Sequence, residues 1–187
     1  MTGNKSAIVV IAPGTEEMEA VIVIDVLRRA DIDVEVAGLR GPDAVRCSRG
    51  VMLQPDSALD ALGDADADAL VLPGGRDGAE AFAQSAAVGE RLRRRESDAM
   101  LTGVICAGPI ALVAHGVFSG KRMTSHPSVR EQVQEHGVWV DEAVVRDGVL
   151  TTSQGPGTAF AFALSLVEQL TDRATRERVA APMMLKA

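Results

Sequence analysis

Residues 100–115, MLTGVICAGPIALVAH, decide the fold, because they join a short apolar run to a longer one through a tight turn. Met100–Ile105 has the pattern of a strand buried on both faces, and Pro109–His115 that of a helix. The wider stretch Ala99–Gly120 contains no Asp, Glu, Lys or Arg, so a membrane span is the competing interpretation. The glycines and the proline that interrupt it favour a buried strand, a turn and a buried helix.

The same order of strand and helix recurs along the chain. Further strands are predicted at Ser6–Ala12, Ile32–Leu39 and Leu70–Leu72, and helices at Glu16–Asp31, Ala79–Arg95 and Thr158–Leu170. This alternation indicates right-handed βαβ units and a doubly wound, mainly parallel sheet with helices on both faces. No linker divides the 187 residues, so we expect one α/β domain over residues 1–187. A hairpin or an irregular excursion is expected over Ala44–Leu53, and a small antiparallel piece near residues 138–152.

Composition excludes several classes of partner. Asp and Glu (26) outnumber Lys and Arg (19), the net charge is −7, and aromatic residues make up 3% of the chain. These values argue against nucleic acid and against an anionic membrane surface. Two cysteines, Cys47 and Cys106, are too few for a disulfide framework, and no Cys/His spacing resembles a zinc site. The first strand begins too early to leave room for a signal peptide, so we expect a reducing, cytoplasmic setting.

Cys106 is the leading candidate for chemistry. It directly follows a buried strand and precedes a predicted helix, at the sheet edge where α/β proteins bind their ligands. The start of a helix can lower a thiol pKa from about 8.5 to roughly 3.5–7.5, so a reactive thiolate is expected. The small residues Ala107 and Gly108 would let a substrate oxygen approach backbone N–H groups. The alternative is a small buried residue that fills the turn.

Glu19 is the second candidate. Glu16, Glu17 and Glu19 open the first helix, and only Glu19 falls on its apolar stripe, near Val23. A carboxyl group placed there would be poorly solvated and its pKa raised, so it would be protonated and able to donate a hydrogen bond to a thiolate. The alternative is an acidic first turn that complements the helix dipole.

The histidines and the glycine turn are less specific. His115 and His136 each precede a glycine at a predicted helix end, which favours a capping role. His126 lies between a strand end and a helix start, and is either a general base or polar wall near the thiol, or a turn histidine. Gly74 and Gly75 would either present N–H groups to a substrate oxygen or serve a tight turn. Cys47 is interpreted as a packing residue.

Taken together, these residues resemble the DJ-1 branch of the DJ-1/PfpI superfamily nearly end to end. The segments that carry the resemblance are residues 13–19 (PGTEEME), 37–39 (AGL), 47–49 (CSR), 71–75 (VLPGG), 105–109 (ICAGP), 126–127 (HP), 152–153 (TS), 155–158 (GPGT) and 181–182 (AP). The resemblance implies a flavodoxin-like fold, a homodimer, and an oxidation-sensitive nucleophile at Cys106 with a protonated partner at Glu19 and a histidine nearby at His126. It also implies an anion pocket formed by the amides of Gly75 and Ala107, and an Arg49 that approaches the partner subunit's site.

Several positions depart from related patterns. PfpI-type proteases carry His directly after the nucleophile, where this chain has Ala107, which argues against peptidase activity. Class I glutamine amidotransferases carry Gly-x-Cys-x-Gly, and Gly103 is one residue too early for that pattern. Gln154 replaces the Arg usual in DJ-1 relatives, which weakens anion binding. Ala143 and Ala161 replace a salt-bridging Arg/Glu pair, so stability must rest elsewhere.

The resemblance implies a glutathione-independent glyoxalase, with a related protein-deglycase activity, in which Cys106 attacks methylglyoxal or glyoxal. No residue pattern calls for a metal or an organic cofactor. The alternative is a redox-sensing or chaperone-like stress protein whose Cys106 is oxidised to sulfinate. A third interpretation, a small-ester or amide hydrolase, lacks the adjacent histidine that would act as its base.

Overall fold

The computed structural model describes residues 5–63 and 67–185. The strands are β1 (Ser6–Ile11), β2 (Asp33–Gly38), β3 (Val45–Arg46), β4 (Met52–Leu53), β5 (Ser57–Ala58), β6 (Ala69–Leu72), β7 (Leu101–Ile105), β8 (Arg122–Met123), β9 (Val138–Trp139), β10 (Val144–Asp147) and β11 (Leu150–Ser153). The α-helices are α1 (Glu17–Arg29), α2 (Arg76–Gln84), α3 (Ala86–Ser97), α4 (Ile110–His115), α5 (Arg130–His136), α6 (Ala159–Leu170) and α7 (Arg173–Ala180).

The predicted doubly wound α/β fold is confirmed. Seven strands form the main sheet in the spatial order β10, β11, β7, β6, β1, β2, β5, and every neighbouring pair is parallel except β10 and β11. β1 shows why both faces of the sheet are covered: Ala7 and Val9 pack into one apolar cluster, while Ile8 and Val10 pack into the other. Since alternate residues of a strand point to opposite faces, a continuous apolar run requires helices on both sides.

Three local predictions differ from the structure. The helix predicted at Ala79–Arg95 is two helices, because Ser85 is extended and its hydroxyl caps α3 by accepting the Val88 N–H at 3.3 Å. The antiparallel piece near residues 138–152 is smaller than expected, because β9 pairs with β8 in parallel and β11 belongs to the main parallel sheet. Helix α7 was not predicted, since residues 173–180 (RATRERVA) lack an apolar stripe and bury only Val179.

Of the two alternatives for Ala44–Leu53, the structure shows the hairpin, because β3 pairs with β4 in antiparallel orientation. It is tied to the start of α1, because the buried Glu17 carboxylate accepts the Ser48 hydroxyl at 2.8 Å and the Arg49 N–H at 2.9 Å. Among the residues that the structure describes, no helix is long and apolar enough to cross a membrane.

Candidate active site at the carboxyl edge of the sheet

Cys106 lies in the tight turn between β7 and α4, at the carboxyl edge of the parallel strands. Its φ of 64° falls in the left-handed region that non-glycine residues rarely adopt. Two hydrogen bonds hold its peptide: Cys106 N–H donates to the Ser153 carbonyl at 2.9 Å, and His126 N–H donates to the Cys106 carbonyl at 2.8 Å. Such a conformation costs roughly 1–3 kcal/mol, so contacts from two other segments are needed to hold the thiol in one orientation.

Glu19 meets this thiol across the Gly74 peptide. Its side chain is fully buried, and Oε2 accepts the Gly74 N–H at 2.7 Å. A Cβ added to Gly74 would lie 2.5 Å from Cβ of Cys106, 2.9 Å from its Sγ and 2.8 Å from Oε2 of Glu19. The turn therefore brings the thiol and the carboxyl group together only because residue 74 has no side chain.

The buried carboxyl group of Glu19 changes its protonation near neutral pH. Burial raises its pKa to about 7; the Gly74 N–H and the Cys106 thiol act in the opposite direction, and the charge of Glu16 adds to the rise. Within the described part of the chain, its Oε1 has no hydrogen-bond partner. A group with these properties can both accept and return a proton at neutral pH.

The predicted low pKa of Cys106 is wrong. Burial and the neighbouring negative charge of Glu19 raise the pKa of the thiol to about 12, although the N–H groups of Gly75 and Ala107 act to lower it. Helix α4 begins only at Ile110 and has six residues, so the thiol precedes the helix rather than capping it. The pair therefore shares at most one negative charge near neutral pH, and the sulfur becomes a nucleophile when its proton passes to the Glu19 carboxylate.

Two backbone amides, those of Gly75 and Ala107, act on the Cys106 thiol, and their role as an anion pocket stays a prediction. The N–H groups of Gly75 and Ala107 both act to lower the pKa of the thiol, so both face the sulfur. Gly75 has a φ of 84°, and a side chain there would collide with the carbonyl of Gly14. The structure shows the tight-turn role of the Gly74-Gly75 segment, because its conformation requires glycine. That its N–H groups bind a substrate oxygen stays a prediction.

His126 joins the site through its backbone, and its ring is exposed. Ser128 N–H donates to the ring Nδ1 at 3.2 Å, and the Ser128 hydroxyl lies 2.8 Å from the same atom. A Cβ added to Gly155 would lie 3.7 Å from Cδ2 of the ring and 4.0 Å from Oε1 of Glu19. The ring thus borders the side of the site where Oε1 lies, with Nδ1 committed to Ser128.

Arg49 is not part of the Cys106 turn within this chain. Its backbone N–H binds Glu17, and its exposed guanidinium donates to the Ser48 carbonyl at 3.5 Å. Cys47 is buried among apolar residues, and burial followed by the charges of Glu17 and Glu16 raises the pKa of its thiol to about 11. That environment fits the packing role expected for Cys47.

Gln154 occupies the position where the resemblance leads us to expect arginine, and its side chain is already hydrogen-bonded. Gln154 donates through Nε2 to Oδ1 of Asp141 at 2.9 Å, so the side chain is engaged with a carboxylate. Ala143 contributes only its carbonyl, which accepts the Ser153 hydroxyl at 2.7 Å.

Sequence reasoning missed Thr158, which organises the last turn of the site. Its hydroxyl accepts the N–H groups of Gln154 and Gly155 at 3.2 and 3.1 Å, and lies 2.7 Å from the Ser153 hydroxyl. The signal was available, since a threonine three residues after Gly155 is well placed to cap a turn. No group of three or more potential metal ligands occurs among the described residues.

Comparison with known proteins finds similar chains. Residues 5–169 match the model of the DJ-1/PfpI family. Protein dj-1beta of Drosophila melanogaster is 48% identical over 183 residues, which cover 97% of this chain and 98% of that protein. The crystal structure of Drosophila melanogaster DJ-1beta is similar with a TM-score of 0.97 at 47% identity, and covers 99% of this chain and 100% of that chain.

Two further relatives bear on chemistry. The Caenorhabditis elegans protein named glutathione-independent glyoxalase DJR-1.2 is 38% identical over 172 residues, or 91% of each chain. A structure of oxidized Toxoplasma gondii DJ-1 is similar with a TM-score of 0.93 at 32% identity, and covers 98% of this chain and 100% of that chain.

Proposed function

Because the chain belongs to the DJ-1/PfpI family, we propose that its Cys106 site is a glutathione-independent glyoxalase that converts methylglyoxal to lactate and glyoxal to glycolate. One observation carries the proposal: the fully buried Glu19 and the Cys106 thiol meet across Gly74, and the pKa of Glu19 is about 7. A carboxylate with that pKa is well suited to accept the thiol proton at neutral pH. The name of the nematode relative supports the reaction class.

The first step forms a hemithioacetal. The Cys106 sulfur attacks the aldehyde carbon, its proton passes to Glu19, and the carbonyl oxygen receives the negative charge. The N–H groups that face the sulfur, those of Gly75 and Ala107, are the proposed donors that stabilise this oxyanion. The oxygen is then protonated, so the adduct is neutral.

The second step moves a proton between neighbouring carbons. Glu19, again a carboxylate, removes the proton from the former aldehyde carbon, and a proton is returned to the adjacent carbon, which gives the thioester of a 2-hydroxy acid. His126 borders the side of the site on which Oε1 of Glu19 lies, and assists this transfer through Nε2. Water then cleaves the thioester and restores the thiol. Overall, the dicarbonyl and one water molecule give the 2-hydroxy acid, and no oxidant or reductant is needed. In the proposed deglycase reaction, Cys106 attacks the early adducts that dicarbonyls form with proteins in the same way.

The test measures lactate formed from methylglyoxal without glutathione. We expect Cys106→Ser to abolish the activity, whereas Cys47→Ser, which removes the other buried thiol, retains it. Full activity in Cys106→Ser would overturn the mechanism.

The second candidate function is a redox sensor, which the oxidized Toxoplasma relative favours. Two equivalents of peroxide would convert the Cys106 thiol to sulfinate, and a protonated Glu19 would donate a hydrogen bond to it. Mass spectrometry after mild peroxide treatment, together with turnover of the unoxidised protein, separates the two functions. Selective gain of two oxygen atoms at Cys106 with negligible dicarbonyl turnover would favour the sensor.

The proposed assembly is a homodimer. Apolar side chains are exposed at the start of α1 and on the adjoining β3–β4 hairpin: Met18 is 55% exposed and Met52 is 56% exposed, with Val21 and Val51 beside them. Burying this face against a second copy would carry the exposed Arg49, on the same hairpin, toward the partner subunit's site. The two free cysteines agree with a cytoplasmic location, which cell fractionation would test.

A further inference from the structure

Gln154 lies beside the Cys106 turn at the carboxyl edge of the sheet. In the parallel pairing of β11 with β7, Ser153 lies opposite Ile105, so Gln154 and Cys106 are the next residues along the two strands. The Cys106 N–H donates to the Ser153 carbonyl at 2.9 Å, which keeps the two chains together at this point. Since paired strands lie about 4.8 Å apart, the backbone of Gln154 is a direct neighbour of the turn that carries the thiol.

The residue after Gln154 borders the other members of the site. Gly155 is buried, and a Cβ added to it would lie 4.0 Å from Oε1 of Glu19 and 3.7 Å from Cδ2 of the His126 ring. The Thr158 hydroxyl fixes this segment, because it accepts the N–H groups of Gln154 and Gly155 at 3.2 and 3.1 Å. The Gln154 side chain therefore starts from a fixed backbone next to the proposed catalytic groups.

This side chain holds a carboxylate at the edge of the site. Nε2 of Gln154 donates to Oδ1 of Asp141 at 2.9 Å, and Asp141 is exposed three residues before β10. An amide is neutral, so the hydrogen bond orients the carboxylate without cancelling its charge. The neighbouring Glu142 differs, because its carboxylate is paired with the Arg122 guanidinium at 3.5 Å. The partner of Asp141 thus leaves a negative charge at the edge of the site.

A negative charge at this edge discriminates among substrates by their own charge. Methylglyoxal and glyoxal carry no charge, so the Asp141 carboxylate does not repel them. A dicarbonyl that carries a carboxylate or a phosphate is repelled as it approaches Cys106. The net charge of the chain, −7, acts in the same direction.

We propose that Asp141, oriented by Gln154, is a specificity-determining residue that disfavours anionic dicarbonyls at the Cys106 site relative to uncharged ones. The inference deepens the proposed function and rests on it for the identity of the substrates. Asp141 acts through its charge, and Gln154 is a positioning residue that holds this charge beside the site.

The test compares two alkylating reagents of nearly the same size, neutral iodoacetamide and anionic iodoacetate. Cys47→Ser is the common background, so that Cys106 is the one thiol observed. Both reagents react with the same thiolate, so the ratio of their rates cancels any change in its ionisation. Asp141→Asn removes the charge and keeps a side-chain oxygen that can accept the Gln154 N–H. A merely structural role of Asp141 would not move this ratio.

Asp33→Asn is the matched control. It makes the same change in net charge, but Asp33 is exposed at the start of β2, at the opposite edge of the sheet. The comparison cancels any charge that all variants share, such as Arg49 of the partner subunit in the proposed dimer.

We expect Asp141→Asn to raise the iodoacetate rate about twofold relative to the iodoacetamide rate, for a unit charge acting through roughly 10 Å of water at about 10 mM salt. Asp33→Asn should leave the ratio unchanged. At about 1 M salt the effect of Asp141→Asn should disappear, because the Debye length falls to about 3 Å. A parent-like ratio in Asp141→Asn at low salt, an equal shift in Asp33→Asn, or a shift that persists at high salt would overturn the proposal.

Gln154→Arg tests the same charge from its partner. An arginine would place a cation against Asp141, so the ratio should shift toward iodoacetate as it does in Asp141→Asn. A ratio equal to that of the parent would contradict the proposal.

Lactate formation from methylglyoxal is measured separately, so that the two proposals fail independently. The glyoxalase alone fails if the parent forms no lactate while the alkylation ratio shifts as expected. The charge selection alone fails if lactate forms while Asp141→Asn keeps the ratio of the parent.

Discussion

Replacing Glu19 with Gln should make the protein more stable at alkaline pH, despite removing a group of the proposed active site. The pKa of Glu19 is raised by burial from an ordinary 4.5 to about 7. The native fold thus binds this proton more tightly than the unfolded chain does, and the resulting stability is complete below pH 4.5 and lost as the pH rises through about 7. Burying the ionised carboxylate costs about 3 kcal/mol at pH 8 and under about 1 kcal/mol at pH 5.

The variant lacks this titration, so its free energy of unfolding relative to the parent should increase by about 2–3 kcal/mol between pH 5 and pH 8. For a domain of this length, that corresponds to a change of about 5–10 °C in the Tm difference. Urea unfolding at the two pH values measures it directly, and any cost of packing the amide cancels because it does not depend on pH.

Glu17→Gln is the matched control, because Glu17 and Glu19 both lie on α1 and their pKa values are shifted in opposite directions. Burial acts to raise the pKa of Glu17, but hydrogen bonds from its own N–H, Ser48, Arg49 and Val51 outweigh burial and lower it. Its contribution to stability is present above the unfolded pKa, so this variant should lose stability relative to the parent as the pH rises. A pH-independent stability difference for Glu19→Gln would refute the assigned burial and charge of Glu19.

Three further predictions follow from contacts of the site and of the exposed apolar face. Gly74→Ala places a methyl group 2.5 Å from Cβ of Cys106. We therefore expect the free energy of unfolding to fall by about 1–3 kcal/mol and lactate formation to slow at least tenfold. Parent-like kinetics would contradict the close approach of Gly74 to Cys106. Thr158→Val removes the acceptor of two N–H groups, and should cost about 1–3 kcal/mol in thermal unfolding; an unchanged Tm would show that the turn does not need it. Val51→Glu puts a charge in the exposed apolar face, so sedimentation should show a monomer for the variant and the proposed dimer for the parent; an intact dimer in the variant would place the interface elsewhere.

The fold was predictable because its signals are local and repeated. A strand such as β1 must be covered on both faces, and the helices that cover it follow directly along the chain. The break at Ser85 was not predictable from apolar spacing, because a single serine ends one helix by its own extended backbone and caps the next. Helix α7 was missed because its charged surface, rather than an apolar stripe, dominates its sequence.

The members of the site were more predictable than their electrostatics. Cys106 and Glu19 were found from their positions relative to a strand end and an apolar stripe, and the structure brings them together. The shift in the pKa of the Cys106 thiol was predicted in the wrong direction. The helix that was expected to lower this pKa begins four residues away, at Ile110, while the carboxyl group of Glu19 lies beside the sulfur. That balance depends on the approach of Glu19 on α1 to the Gly74 and Cys106 turns, which no local sequence pattern contains.

The central claim is that the Cys106 sulfur loses its proton to Glu19. The most direct test is the pH dependence of Cys106 alkylation in the parent and in Glu19→Gln, both with Cys47→Ser so that one thiol is observed. In the parent the midpoint should follow the first ionisation of the pair, near the Glu19 pKa of about 7, and in Glu19→Gln it should move to higher pH because the buried thiol has lost its acceptor. A midpoint that stays in place, or moves to lower pH, would contradict the account.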